Sequence, residues 1–260
     1  MKQPASSVIA VASGKGGVGK TWFSITLAHA LARSGRRVLL FDGDFGLANV
    51  DIQLGLMPKR DLGAVAAGRA SLAEAVLGHP EGGFDIVAGQ SGSGALSQLT
   101  PAALEDMLAS LRGLADNYDA VVLDLAAGLD HSVRRMAAWA GTLLVIATEE
   151  PTSLTDAYAV LKLHAADLAR QGGVAAGGAR VVVNQAATRT SGERTYASLQ
   201  RACERFLGTA PGLAGVIRRD DRVRDAIRRQ TLLLTRHPVC PAAADVEAVA
   251  GSLDVPRIIR

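Results

Sequence analysis

The chain has 260 residues, 48% of them hydrophobic but only 4% aromatic, and a formal net charge of +3. Such a chain can bury a full sheet between helical layers using small aliphatic side chains, and it needs no second domain. No internal repeat, long polar linker or low-complexity tail interrupts it, so residues 1–260 are expected to form one domain, with 1–6 a flexible N-terminus and 241–260 a C-terminal helix and tail. Cys203 and Cys240 lack metal spacing and read as structural thiols of a reducing compartment, which also counts against an iron-sulfur protein. No signal peptide or apolar run long enough to span a bilayer is read, so a cytoplasmic location is expected.

In chain order, a strand is expected near 8–13 and a helix over 20–34, and between them lies Gly14-Lys15-Gly16-Gly17-Val18-Gly19-Lys20-Thr21. This octet satisfies G-x-x-x-x-G-K-[ST] in the strand-loop-helix context that the pattern requires. Its glycines let successive N–H groups approach an anion, and the helix beginning near Lys20 adds its positive end. Lys20 is expected on the outer phosphates and the Thr21 hydroxyl on a magnesium ion. Lys15 is too close to Lys20 on a tight loop to share its target; its side chain should project away from the cradle, toward solvent or a facing subunit. Lysine occurs only at 2, 15, 20, 59 and 162, so two in one octet suggest that arginine would not serve there.

A strand over 37–42 leads into Asp42-Gly43-Asp44-Phe45-Gly46-Leu47. Strand period puts Asp42 and Asp44 on one side at the carboxyl edge, where open α/β sheets bind ligands. Asp42 suits the magnesium shell through water; Asp44, one step farther out, suits orientation or activation of an attacking water. Turn capping is the plainer role for either aspartate.

Short helices are expected over 61–77, a strand over 84–88 and a helix over 101–116. The run Val121-Val122-Leu123-Asp124 ends an apolar strand in an acid, a Walker B pattern that marks a second acidic contact to magnesium when it follows a phosphate loop. Gly128 then allows a turn beneath the last phosphate. Strands near 142–148, 179–184 and 213–217 alternate with helices near 131–140, 153–171, 191–207, 221–230 and 241–252. The alternation predicts an α/β fold, a mainly parallel twisted sheet with helices on both faces. His131 reads as a helix-start or surface residue.

Together the lysine-bearing loop, the Asp-x-Asp-x-Gly-Leu-x-Asn-x-Asp segment and the Asp124 strand resemble the MinD/ParA branch of deviant Walker A P-loop ATPases. Ala48–Leu56, Asp124–Gly128 and above all Glu150-Pro151-Thr152-Ser153 resemble the flagellar-number regulators FlhG and FleN, over nearly the whole chain. The resemblance implies a face-to-face homodimer with ATP between the subunits, Lys15 touching the partner's nucleotide, and a slow, partner-stimulated hydrolysis of ATP to ADP with Mg2+. It implies Asp44, Lys15 and Lys20 as catalytic residues and Thr21, Asp42 and Asp124 around the metal. Nucleotide contacts are assigned to Gly14, Lys15, Gly16, Gly17, Val18, Gly19, Lys20, Thr21 and Trp22. On the base side they are assigned to Asn184, whose amide offers donor and acceptor to adenine, and to Arg218, Arg219 and Asp220. Asn184 is followed by Gln185-Ala186-Ala187 rather than by an Asn-Lys-x-Asp guanine pattern, which favours ATP over GTP.

Two departures stand out. Gly43 occupies a position where such proteins carry alanine or a larger residue, which could loosen the switch and slow hydrolysis without preventing binding. Arg218-Arg219 replaces a proline and a polar or acidic residue beside the base. The partners implied are a signal-recognition-type GTPase of the FlhF kind and a transcription activator of the FleQ kind, with recruitment to the inner membrane face or cell pole through them. Six arginines between Arg218 and Arg229 read first as a solvated helix face and second as a DNA contact of the ParA kind. The end of the chain is small, acidic and broken by Pro256, so autonomous lipid binding is expected to be weak or absent.

Overall fold

The computed structural model describes residues 7–89, 100–170 and 178–256. The expected flexible segment 1–6 and the basic end 257–260 lie outside them. Eight strands form one sheet: β1 Ser7–Ser13, β2 Val38–Gly43, β3 Val76–His79, β4 Phe84–Val87, β5 Ala120–Ala127, β6 Thr142–Ala147, β7 Arg180–Ala186 and β8 Gly212–Arg218. Their order is β3-β4-β2-β5-β1-β6-β7-β8. All neighbours pair in parallel except β3 and β4.

The helices are α1 Lys20–Arg33, α2 Val50–Leu54, α3 Leu62–Ala66, α4 Pro101–Ala115, α5 His131–Trp139, α6 Pro151–Arg170, α7 Arg189–Leu207, α8 Asp221–Arg228, α9 Leu233–Arg236 and α10 Pro241–Ser252. They cover both faces, and strand alternation divides the core accordingly. Ile9 and Val11 of β1 face α1 and α10, while Val8, Ala10 and Ala12 face the layer that holds α4 to α7. The C-terminal helix α10 buries Ala242, Ala243, Val246 and Val249. Among the described residues no helix is long and apolar enough to cross a membrane. Cys203 and Cys240 are buried free thiols.

The 61–77 segment departs from the expected short helices. After α3 and a 3-10 turn over Ala73–Ala75 the chain enters β3, an antiparallel edge strand. Four residues that include Gly78 carry too little alternation to announce a strand; pairing with β4 supplies it. The five residues of α2 were also unannounced, and their start is held by Asp42, which accepts from Val50 N at 3.1 Å.

Candidate nucleotide site

The phosphate loop joins the carboxyl end of β1 to α1, at the centre of the sheet. Gly19 caps α1 in the left-handed conformation, with φ 88°. A Cβ there would also fall 2.6 Å from Asn184 Nδ2. Gly14 is needed for a different reason: a Cβ would stand 2.5 Å from the Asp156 carbonyl oxygen on α6. Lys20 opens the helix, so its amide and those beside it point out of the N-terminal end, where an anion is favoured.

Lys20 is buried, and its Nζ lies 3.1 Å from Asp124 Oδ1. Ser24, one turn along α1, donates to the same oxygen at 2.9 Å. The other oxygen, Asp124 Oδ2, is buried without a hydrogen-bond partner. Asp42 stands in register with Asp124 on the neighbouring strand. It accepts from the backbone N–H groups of Asp44, Asn49 and Val50 at 3.2, 3.2 and 3.1 Å. Burial, then the Asp124 charge, push its carboxyl up to about 7.

This arrangement fits a phosphate-bound magnesium ion. An orphaned carboxylate oxygen, a second carboxylate in register and the Thr21 hydroxyl at the helix start are all oxygen donors, the type a hard cation takes. Among the described residues no three His, Cys, Asp or Glu side chains are grouped to hold a metal by themselves. An ion here would depend on phosphate oxygens and water as well.

Asp44 reaches the expected edge but is turned into its own loop. Its Oδ1 accepts from Gly46 N at 3.2 Å and Leu47 N at 2.9 Å, the turn-capping geometry. Lys15 leaves the cradle as expected and is held on its own chain, 2.6 Å from Glu150 Oε2 and 3.2 Å from Thr152 Oγ1. Gly128 N donates to Ser13 O at 2.9 Å, which ties the end of the Asp124 strand to the loop's entry.

Beside the phosphate loop, where the base contacts were expected, a cavity of about 310 Å³ is lined by Gly17, Gly19, Trp22, Asn184, Arg219 and α8. Asn184 is buried and donates to Val18 O at 2.7 Å, so one of its amide hydrogens is already committed to the phosphate loop. Arg218 and Asp220 also border the cavity, but their side chains serve the fold. The Arg218 guanidinium makes bonds of 2.8 and 2.9 Å to the two oxygens of buried Asp245, and Asp220 caps α8 through Arg222 N at 3.0 Å. Of the three, Arg219 is the exposed one.

Sequence reasoning gave no place here to Ser24, Gln185, Val223 and Ile227, and it read Arg224 only as part of a solvated or DNA-contacting helix face. Ser24 was within reach of it, being four residues after Lys20 and so on the same helix face. The others gather only when α8 comes to lie across the cavity from the phosphate loop. The indole Nε1 of Trp22 is buried without a partner at the cavity wall.

Comparison with known proteins agrees with this geometry. Residues 9–233 match the CobQ/CobB/MinD/ParA nucleotide binding domain. The chain is 42% identical over 258 residues to the antiactivator FleN of Pseudomonas aeruginosa, covering 98% of this chain and 90% of that protein. It is 26% identical to the flagellum site-determining protein YlxH of Helicobacter pylori, covering 94% and 81%. In fold it is similar to the septum site-determining protein MinD of Pyrococcus horikoshii complexed with Mg-ADP, with a TM-score of 0.77, 24% identity and 96% of each chain covered. Phosphate loop, aspartates paired in register on neighbouring strands and whole-chain similarity converge: the chain belongs to the MinD/ParA family of P-loop ATPases.

Proposed function

We propose that this chain is a magnesium-dependent ATPase that works as a dimerisation switch, regulating flagellar number and placement and flagellar gene expression. The observation that carries this reading is the 42% identity to an antiactivator FleN over 98% of the chain, supported by Lys20 of the phosphate loop standing 3.1 Å from Asp124. In this reading Lys20 binds the outer phosphates, Thr21 contributes its hydroxyl to the metal, and Asp42 and Asp124 hold the metal's water shell. Magnesium would offset charge building on the transferred phosphoryl group. Asp44 orients the attacking water and accepts its proton, and Lys15 reaches the nucleotide of the facing subunit. Asn184 and the cavity beside α8 receive adenine. ATP closes a homodimer, the dimer engages an FlhF-type GTPase and a FleQ-type transcription activator at the membrane face or pole, and hydrolysis separates it.

The direct test is the number of flagella per cell, counted by electron microscopy in a deletion strain of the source organism complemented with wild type or Asp44→Ala. The expected result is a changed number restored by wild type alone. Unchanged flagella would sink the flagellar role. A ParA-like role on DNA is the second reading, favoured by Arg224 and Arg228, exposed on one face of α8 without an ion pair among the described residues. Steeply salt-dependent binding to random duplex in ATP would support it.

A further inference from the structure

The phosphate loop and α6 are closely fitted to each other. Gly14 packs against the Asp156 backbone with no room for a Cβ. The next residue is steadied too, since Ser13 Oγ donates to Lys15 O at 2.9 Å. From that fixed stem the Lys15 ammonium donates to Glu150 Oε2 at 2.6 Å and to Thr152 Oγ1 at 3.2 Å, residues on either side of Pro151, the first of α6. The amino end of a helix repels a cation. Without the Glu150 carboxylate, only the neutral Thr152 hydroxyl would remain to hold an ammonium over the start of α6.

The geometry points to Glu150 as a positioning residue that docks Lys15 on its own subunit and so opposes its transfer to a facing subunit. This rests on the reading that Lys15 works across a dimer interface. Lys15 has one ammonium, and a lysine bound to Glu150 and Thr152 has two of its three donors occupied. The side chains are 41% and 64% exposed, so the bond is screened by salt and reversible, as a latch must be. Thr152 contributes the smaller share, as a neutral acceptor at longer distance.

The test is ATP-dependent dimerisation of the full chain, measured by sedimentation velocity in an Asp44→Ala background that limits turnover. Nucleotide affinity is measured alongside by fluorescent ATP at dilute protein. Glu150→Gln should tighten the dimer about three- to fivefold, the scale of one exposed ion pair. Thr152→Val should act in the same direction but less, and Glu150→Asp should stay near wild type. Affinity for the fluorescent nucleotide should be unchanged, and the gain should shrink in about 0.5 M salt. A Glu150→Gln dimer equal to or weaker than wild type overturns the latch, as does an equal change in nucleotide affinity. If the unsubstituted protein stays monomeric at every ATP concentration, the reading beneath the latch falls with it.

Discussion

Lys20 Nζ and Asp124 Oδ1 lie 3.1 Å apart with both side chains buried, so the two charges neutralise one another. Removing one partner of such a pair strands the other charge in the interior. Asp124→Asn should lower stability by about 3 kcal/mol without nucleotide. Adding ATP should recover part of that loss, because phosphates then take over the Lys20 charge. Denaturant midpoints with and without ATP check this; a midpoint equal to wild type in its absence contradicts it.

Gly14 and Gly16 belong to one motif but differ in surroundings. A Cβ at Gly14 would be 2.5 Å from a backbone oxygen, while one at Gly16 meets nothing within 4 Å. Gly14→Ala should cost about 1–3 kcal/mol and misplace the loop, weakening nucleotide binding. Gly16→Ala should stay within about 0.5 kcal/mol. Urea titration and nucleotide binding of the two variants side by side decide the matter.

Asp44 holds a turn through Gly46 N and Leu47 N, and its proposed chemistry requires it to leave that turn. Asp44→Ala should lower single-turnover ATP cleavage at least about tenfold, the lower range for losing a general base. Nucleotide affinity should be retained. Equal cleavage rates in the two proteins would end the catalytic assignment and leave Asp44 its turn.

His29 is a buried residue of α1 near Phe84, and its Nδ1 has no partner. Burial first, then the charges of Arg33 and His79, lower its pKa from 6.5 to about 4. The unfolded chain therefore binds the proton at higher pH than the folded one. Stability from neutral His29 is complete above 6.5 and is lost as pH falls through about 4, by about 3 kcal/mol in all. Unfolding midpoints between pH 7 and 4 should fall more steeply in wild type than in His29→Leu; parallel profiles would assign the acid loss elsewhere.

Much of this was legible because it is local. Glycine spacing, a lysine before a threonine and two apolar strands ending in aspartate specify a phosphate cradle with acids beside it, and β2 and β5 set Asp42 and Asp124 in register as strand period requires. The antiparallel β3 was not legible, since a four-residue edge strand takes its conformation from its neighbour rather than its own pattern.

What the sequence determined by itself was therefore the chemistry of the site and the alternation that makes a parallel sheet. Tertiary structure alone decided which partner each charge took. Arg218, expected at the base, goes to Asp245, which comes from α10, 27 positions away. Lys15 goes to Glu150 across 135 positions. A side chain announces its charge by its identity, but the nearest opposite charge depends on how distant helices return over the sheet, and no local pattern carries that information.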